Sequence, residues 1–244
     1  MANWSDPRSN AAMRATSVGT GAAAYDAGLR SYMLSVYNYM ASGVLLTGIV
    51  SLLFARSGAA EAILFGPGAL KYLIMFSPLA FVMVLSFGIE RLSTGAAQAL
   101  FWGFATVMGL SMASIFFVYT GPSIAQTFFA TAAAFAGLSL YGYTTKRDLS
   151  AFGTFLVMGV VGLLVAMLIN IFLQSSAMSL VISFVGVLLF AGLTAYDTQR
   201  IKSLYFHVAG SDMVGKTVIM GALSLYLDFV NMFTFLLQFM GDRR

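Results

Sequence analysis

Two aspartates hold most of the chemistry open to this sequence, because each stands where a carboxylate is expensive. Asp228 is the only charged residue in the apolar run over 218–240, with Ser224 four positions before it and Asn231 three after. On a helix those three positions share one face, so they form a polar stripe on an otherwise apolar surface. Such a stripe faces the interior of a bundle, where an intramembrane carboxylate pairs with a partner or lines a wet path. Asp197 closes another apolar run, with Thr194 three positions before it and Arg200 three after. Its plainer role is a helix-end ion pair with Arg200, worth well under about 1 kcal/mol if exposed. The plainer role for Asp228 is a carboxylate tied to Ser224 and Asn231 for helix packing.

Brought together, the two would do more. Neighbouring carboxylates in low dielectric cannot both ionise cheaply, so they share a proton. They also offer hard oxygens to calcium, which takes about six to eight. Two aspartates with hydroxyls, Asn231, backbone and water make only a weak, transient calcium site.

The rest of the chain offers little reactive chemistry. There is no cysteine, and the single histidine, His207, falls in the stretch between the last two apolar runs, where it reads as solvated. One His makes no metal site. No glycine-rich phosphate loop, GxSxG elbow or HExxH pair is present. The expectation is a protein that is not an enzyme and carries no cofactor. Its 13 basic residues are scattered, which argues against nucleic acid as a partner.

The elements that position the aspartates follow from composition. Of 244 residues 59% are hydrophobic and only 9% charged, and mean hydropathy is +0.88. Soluble domains carry about a quarter charged residues. The natural solvent for most of this surface is lipid, so the expected fold is an all-α integral membrane protein with a bundle of seven transmembrane helices over 31–244. Residues 1–30 are polar and rich in Gly and Ala, with no apolar segment of signal-peptide type, and read as a mobile tail.

A span needs roughly 20 apolar residues. Uncharged stretches predict helices over 31–54 and 72–89, the latter with Pro78 inside it. The charge-free run from Leu92 to Thr145 divides at Gly121-Pro122 into helices over 96–119 and 123–143. Gln174-Ser175-Ser176 divides the next run into 151–173 and 178–196 or a little beyond, and 218–240 forms the seventh span. The charge on Asp228 leaves a second possibility for that segment, a re-entrant one with a cytoplasmic C-terminus. Depth is awkward as well: Asp228 lies about 15 Å into its helix, whereas Asp197 lies near the mouth of the sixth.

The segment FAGLSLY (135–141) echoes FAGLTAY (190–196), and both run in the same direction through the membrane. Asp197 falls where the first copy is followed by Gly142.

The stretches FAGLTAYDTQRIK (190–202) and ALSLYLDFVNMF (222–233) resemble the two signature segments of the Bax inhibitor-1 family, bacterial branch. The seven-span layout and the basic stretch between the last two spans carry the resemblance over essentially everything after residue 30. The resemblance implies a bundle with the last helix central and wrapped by the other six. It further implies that Asp197 and Asp228 form a hydrogen-bonded, pH-responsive pair gating a calcium leak, and that a basic residue ending the second span, here Arg91, latches onto them.

Two functions follow as expectations. One is a pH-sensitive calcium-permeable leak channel or cation transporter, with the lipid bilayer and calcium ions or protons as partners. The other is a non-enzymatic regulator that binds a membrane protease or another membrane complex, for which residues 1–30 are the candidate docking element. The expected location is the bacterial inner membrane.

Lys and Arg set the orientation. Arg8, Arg14, Arg30, Arg91, Lys146, Arg147, Arg200, Lys202 and Lys216 fall on the N-terminal side, against Arg56, Lys71, Arg243 and Arg244 on the other. That bias predicts a cytoplasmic N-terminus and, after seven crossings, an external C-terminus. Single cysteines introduced into the cysteine-free chain test it. In intact cells a cysteine at Ser175 reacts with an impermeant reagent and one at Ser150 does not; the opposite pattern overturns the orientation.

Overall fold

Runs of apolar residues in lipid satisfy their backbone only as helices, and the computed structural model is built from them. It describes the backbone of residues 7–244 and the side chains from Asp26 onward. Among the described residues the helices are α1 (Pro7–Arg56), α2 (Ala59–Phe65), α3 (Leu70–Gly88), α4 (Thr94–Met112), α5 (Ile115–Val118), α6 (Gly121–Thr144), α7 (Ser150–Leu173), α8 (Ser176–Val208) and α9 (Val214–Met240). Seven stretches are long and apolar enough to cross a membrane, with α4 and α5 counted as one broken span over Thr94–Val118.

Three boundaries depart from expectation. The first helix does not start at 31: α1 begins at Pro7, and Leu29 is buried. Of the tail expected over 1–30, residues 1–6 lie outside the described residues. The sixth span does not end at Tyr196 but runs on as α8 for twelve more residues, so His207 lies in its last turn rather than in a loop. The seventh starts at Val214 rather than 218. Charged residues were read as helix ends, but a helix that leaves the hydrocarbon needs no break.

The last helix is central. In α9, 72% of the most apolar window is buried, against 11% in α3 and in α7. Its principal neighbours are α8, α1, α6 and α4, while α3 lies outside α4 and α7 lies outside α8. It is therefore not wrapped evenly by all six. The outer helices present Phe87, Phe155, Met158 and Phe172 to the surroundings, as lipid-facing surface requires.

The re-entrant alternative for the seventh span does not occur. Helix α9 is unbroken over 27 residues, and its C-terminal tail is fastened at the opposite end of the bundle from Lys216. There Thr120 N donates to Asp242 O at 3.0 Å and Arg244 N donates to Val118 O at 3.0 Å. Asp242 N also donates to Ser123 Oγ at 2.9 Å. At the Lys216 end, Gln199 straps the α6–α7 connection to α8: it accepts from Leu149 N at 2.9 Å and donates to Arg147 O at 2.7 Å. In that connection Asp148 accepts from Ser150 N at 2.9 Å, and hydrogen bonds from Ser150 hold its carboxyl below the ordinary aspartate range.

The two echoing segments lie side by side where α6 packs on α8. Ser139 Oγ and Thr198 Oγ1 are 2.9 Å apart, and Gly142 lies against the Ala195 carbonyl with no room for a methyl group. Gly137 on the same helix has nothing within 4 Å of a added Cβ. The two glycines therefore predict opposite signs. Gly142→Ala lowers thermal stability in detergent by about 1–3 kcal/mol through overpacking. Gly137→Ala raises it by up to about 1 kcal/mol through helix propensity. Equal effects would show that the helices are not in close contact at Gly142.

Candidate functional site

The extension of α8 removes the depth difficulty. Asp197 lies eleven residues before the end of α8 and Asp228 fourteen after the start of α9. By helical rise that is about 17 Å and about 21 Å from the same end of the bundle. The two carboxylates come within electrostatic reach of one another on the most extensively packed pair of helices. Asp228 is 4% exposed and its Oδ2 is buried without a hydrogen-bond partner. A buried polar atom without a partner costs about 1–3 kcal/mol.

The other expected residues divide. Thr194 is fully buried beside the pair, but its hydroxyl donates to Phe190 O at 2.8 Å on its own helix. Asn231 likewise turns to its own backbone, donating to Leu227 O at 2.8 Å, so it does not hold Asp228. Ser224 is half-buried on the same face. The polar stripe thus exists as placement, without hydrogen bonds tying Asn231 to the carboxylate. Arg200 is exposed one turn beyond Asp197 and interacts with it electrostatically.

Arg91 is not brought to the pair. It is exposed beyond the end of α3, in the turn where Lys216 Nζ donates to Glu90 O at 3.1 Å. Lys216 precedes Asp228 by twelve residues, or about 18 Å of helix.

Several hydroxyls that sequence reasoning passed over build the frame of the site. Tyr226, two residues from Asp228, is fully buried with its hydroxyl 2.6 Å from Thr47 Oγ1, which in turn donates to Ala105 O at 2.8 Å. That joins α9, α1 and α4. Tyr37 Oη lies 2.6 Å from Ser139 Oγ, which continues to Thr198 beside Asp197 and joins α1, α6 and α8. No motif marks these residues; the signal was hydroxyls within apolar runs, which need partners in lipid.

Towards the C-terminal end the interior closes. Phe190 stacks on Phe235 at 5.9 Å, and Phe229 meets Phe135 at 5.5 Å. Beyond this aromatic layer is a polar cavity of about 500 Å³ lined by Ser114, Ser176, Ser179, Ser183 and Gln238, with Arg243 at its rim over the Tyr119 ring. Among the described residues no three His, Cys, Asp or Glu side chains cluster to hold a metal. The carboxylate pair is a two-aspartate site.

These features define a multi-pass membrane protein with one aspartate, Asp228, buried on its last helix and a second, Asp197, half-buried on the helix before it. The family described as "Inhibitor of apoptosis-promoting Bax1" matches residues 29–244, and the chain belongs to that family, the Bax inhibitor-1 family. Among its relatives, the inner membrane protein YbhL of Escherichia coli K12 is 45% identical over 220 residues, covering 89% of this chain and 94% of the relative. A protein of Rickettsia prowazekii is 46% identical over 221 residues, covering 90% and 93%. One of Caulobacter vibrioides is 44% identical over 229 residues, covering 90% and 91%.

An ionisable group buried with an oxygen unpartnered is a poor choice for stability. Asp228→Asn, which removes the charge and keeps the shape, therefore leaves the unfolding free energy in detergent at mildly alkaline pH unchanged or raises it by up to about 2 kcal/mol. A clear loss of stability would make the carboxylate a structural element.

Proposed function

We propose that the protein is a pH-sensitive, calcium-permeable leak channel or cation transporter, gated by Asp197 and Asp228. The observation that carries this reading is the unpartnered Oδ2 of Asp228, buried in the bundle interior with a second carboxylate within electrostatic reach. An oxygen left in that state is available to a proton or a cation, and a carboxylate retained at membrane depth serves an ion or proton path more often than packing.

The surroundings fit a closed gate. The polar cavity at the C-terminal end gives an ion a wet entrance, and the stacked Phe190 and Phe235, each seven residues from an aspartate, lie between it and the pair. Calcium passing the pair would meet two carboxylates, Thr194, Ser224 and water, a set too poor in oxygens to trap it. No catalytic step is part of this proposal. The E. coli relative's name places that protein in the inner membrane, and we assign this chain the same location, with the N-terminus in the cytoplasm as the Lys and Arg bias requires.

The direction of the pH response follows from charge. Raising pH removes protons from the pair and leaves two like charges in a water-poor interior, so α8 and α9 repel at that level. The same deprotonation strengthens attraction for calcium. Both effects raise flux as pH rises.

Asp228→Asn and Asp197→Asn each flatten the dependence of calcium flux on pH in proteoliposomes of purified protein. The double substitution adds little to either single one, because one coupled unit has been broken. If both single variants keep the wild-type profile, the aspartates are not the gate.

A further inference from the structure

We propose that the groove between α1 and α6 is a binding site for an anionic phospholipid, with an acyl chain lying along it and Arg30 taking the phosphate. The groove lies between α1 and α6, which both rest on α9 and are bridged by the Tyr37–Ser139 hydrogen bond, and Phe229 of α9 forms part of its floor. It encloses about 910 Å³ and is walled by Met33, Val44, Phe128, Phe135 and Leu140. Its polar lining is Arg30 and Tyr143 at one end, with Tyr37 and Ser139, hydrogen-bonded to each other, about 10 Å further along α1.

Length and charge select the occupant. From Arg30 to Leu45 the groove follows α1 for about 22 Å, whereas half of the hydrocarbon core is about 15 Å thick. One chain of a lipid fits along it with its headgroup at Arg30. The volume lies in the range of small-ligand pockets, about 300–1,000 Å³.

The charged end is built for an anion. Lys202 Nζ donates to Tyr143 O at 2.7 Å and sits 4.8 Å over the Tyr143 ring, placing a second positive charge beside Arg30's end of the groove. Asp26, one turn before Arg30, is exposed and does not line it. The exposed faces of Leu34, Leu45 and Leu140 open the groove sideways, which is the route a lipid needs.

Native mass spectrometry of the purified protein with phosphatidylglycerol and phosphatidylcholine of identical chains tests the site. The expected result is one retained phosphatidylglycerol, preferred about tenfold over phosphatidylcholine, the worth of a charge-assisted contact. Arg30→Gln brings the two lipids to near parity. Ala136→Trp and Ala41→Trp, which fill the groove from opposite walls, each remove the retained lipid; two variants guard against one that fails to fold. Lipid retention unaffected by Arg30→Gln and by both tryptophans overturns the proposal. A dimer peak that both tryptophans abolish, without retained lipid, overturns it in favour of a second copy of the chain.

Discussion

A carboxylate midway along the last helix constrains everything around it. Lipid cannot solvate Asp228, so α9 must be enclosed on the face that bears it. Helices α1, α4, α6 and α8 provide that enclosure, and the most lipid-exposed helices, α3 and α7, are left outside. Asp197 then needs a helix long enough to carry it to the same depth, which α8 supplies by continuing to Val208.

The remaining polar groups show what the fold does when it can choose. Thr194, Thr198, Thr131 and Asn231 return hydrogen bonds to carbonyls of their own helices, and Thr47, Tyr226, Ser139 and Tyr37 find partners across helices. Only Tyr32 Oη, Ser51 Oγ and Asp228 Oδ2 are buried without a partner among the described residues. Of these three, only Asp228 can bear a negative charge in the range where cells live. Its burial is the feature of the bundle hardest to explain by stability alone.

The seven spans were legible because charges and the Gly121-Pro122 and Gln174-Ser175-Ser176 breaks punctuate the apolar runs. The aspartates were legible because a charge within such a run is rare. What misled was the same signal applied at the ends: Asp197, Arg200 and Lys202 read as the close of a helix that in fact goes on. The short α2 and the break at Ala113 and Ser114 between α4 and α5 left no such mark. The Tyr226–Thr47 and Tyr37–Ser139 bonds join residues more than a hundred positions apart and depend on which helices meet, which periodicity does not specify. The place of Arg91 follows from the turn after α3, not from its type.

The central claim is that like charge on Asp197 and Asp228 drives α8 away from α9. Because the chain has no native cysteine, spin labels at cysteines replacing Ser203 on α8 and Thr217 on α9 report their separation directly in lipid nanodiscs. The account predicts that the distance distribution shifts to longer values as pH rises from mildly acidic to mildly alkaline, and that Asp228→Asn abolishes the shift. A distribution that does not change with pH, or that changes equally in Asp228→Asn, would contradict it.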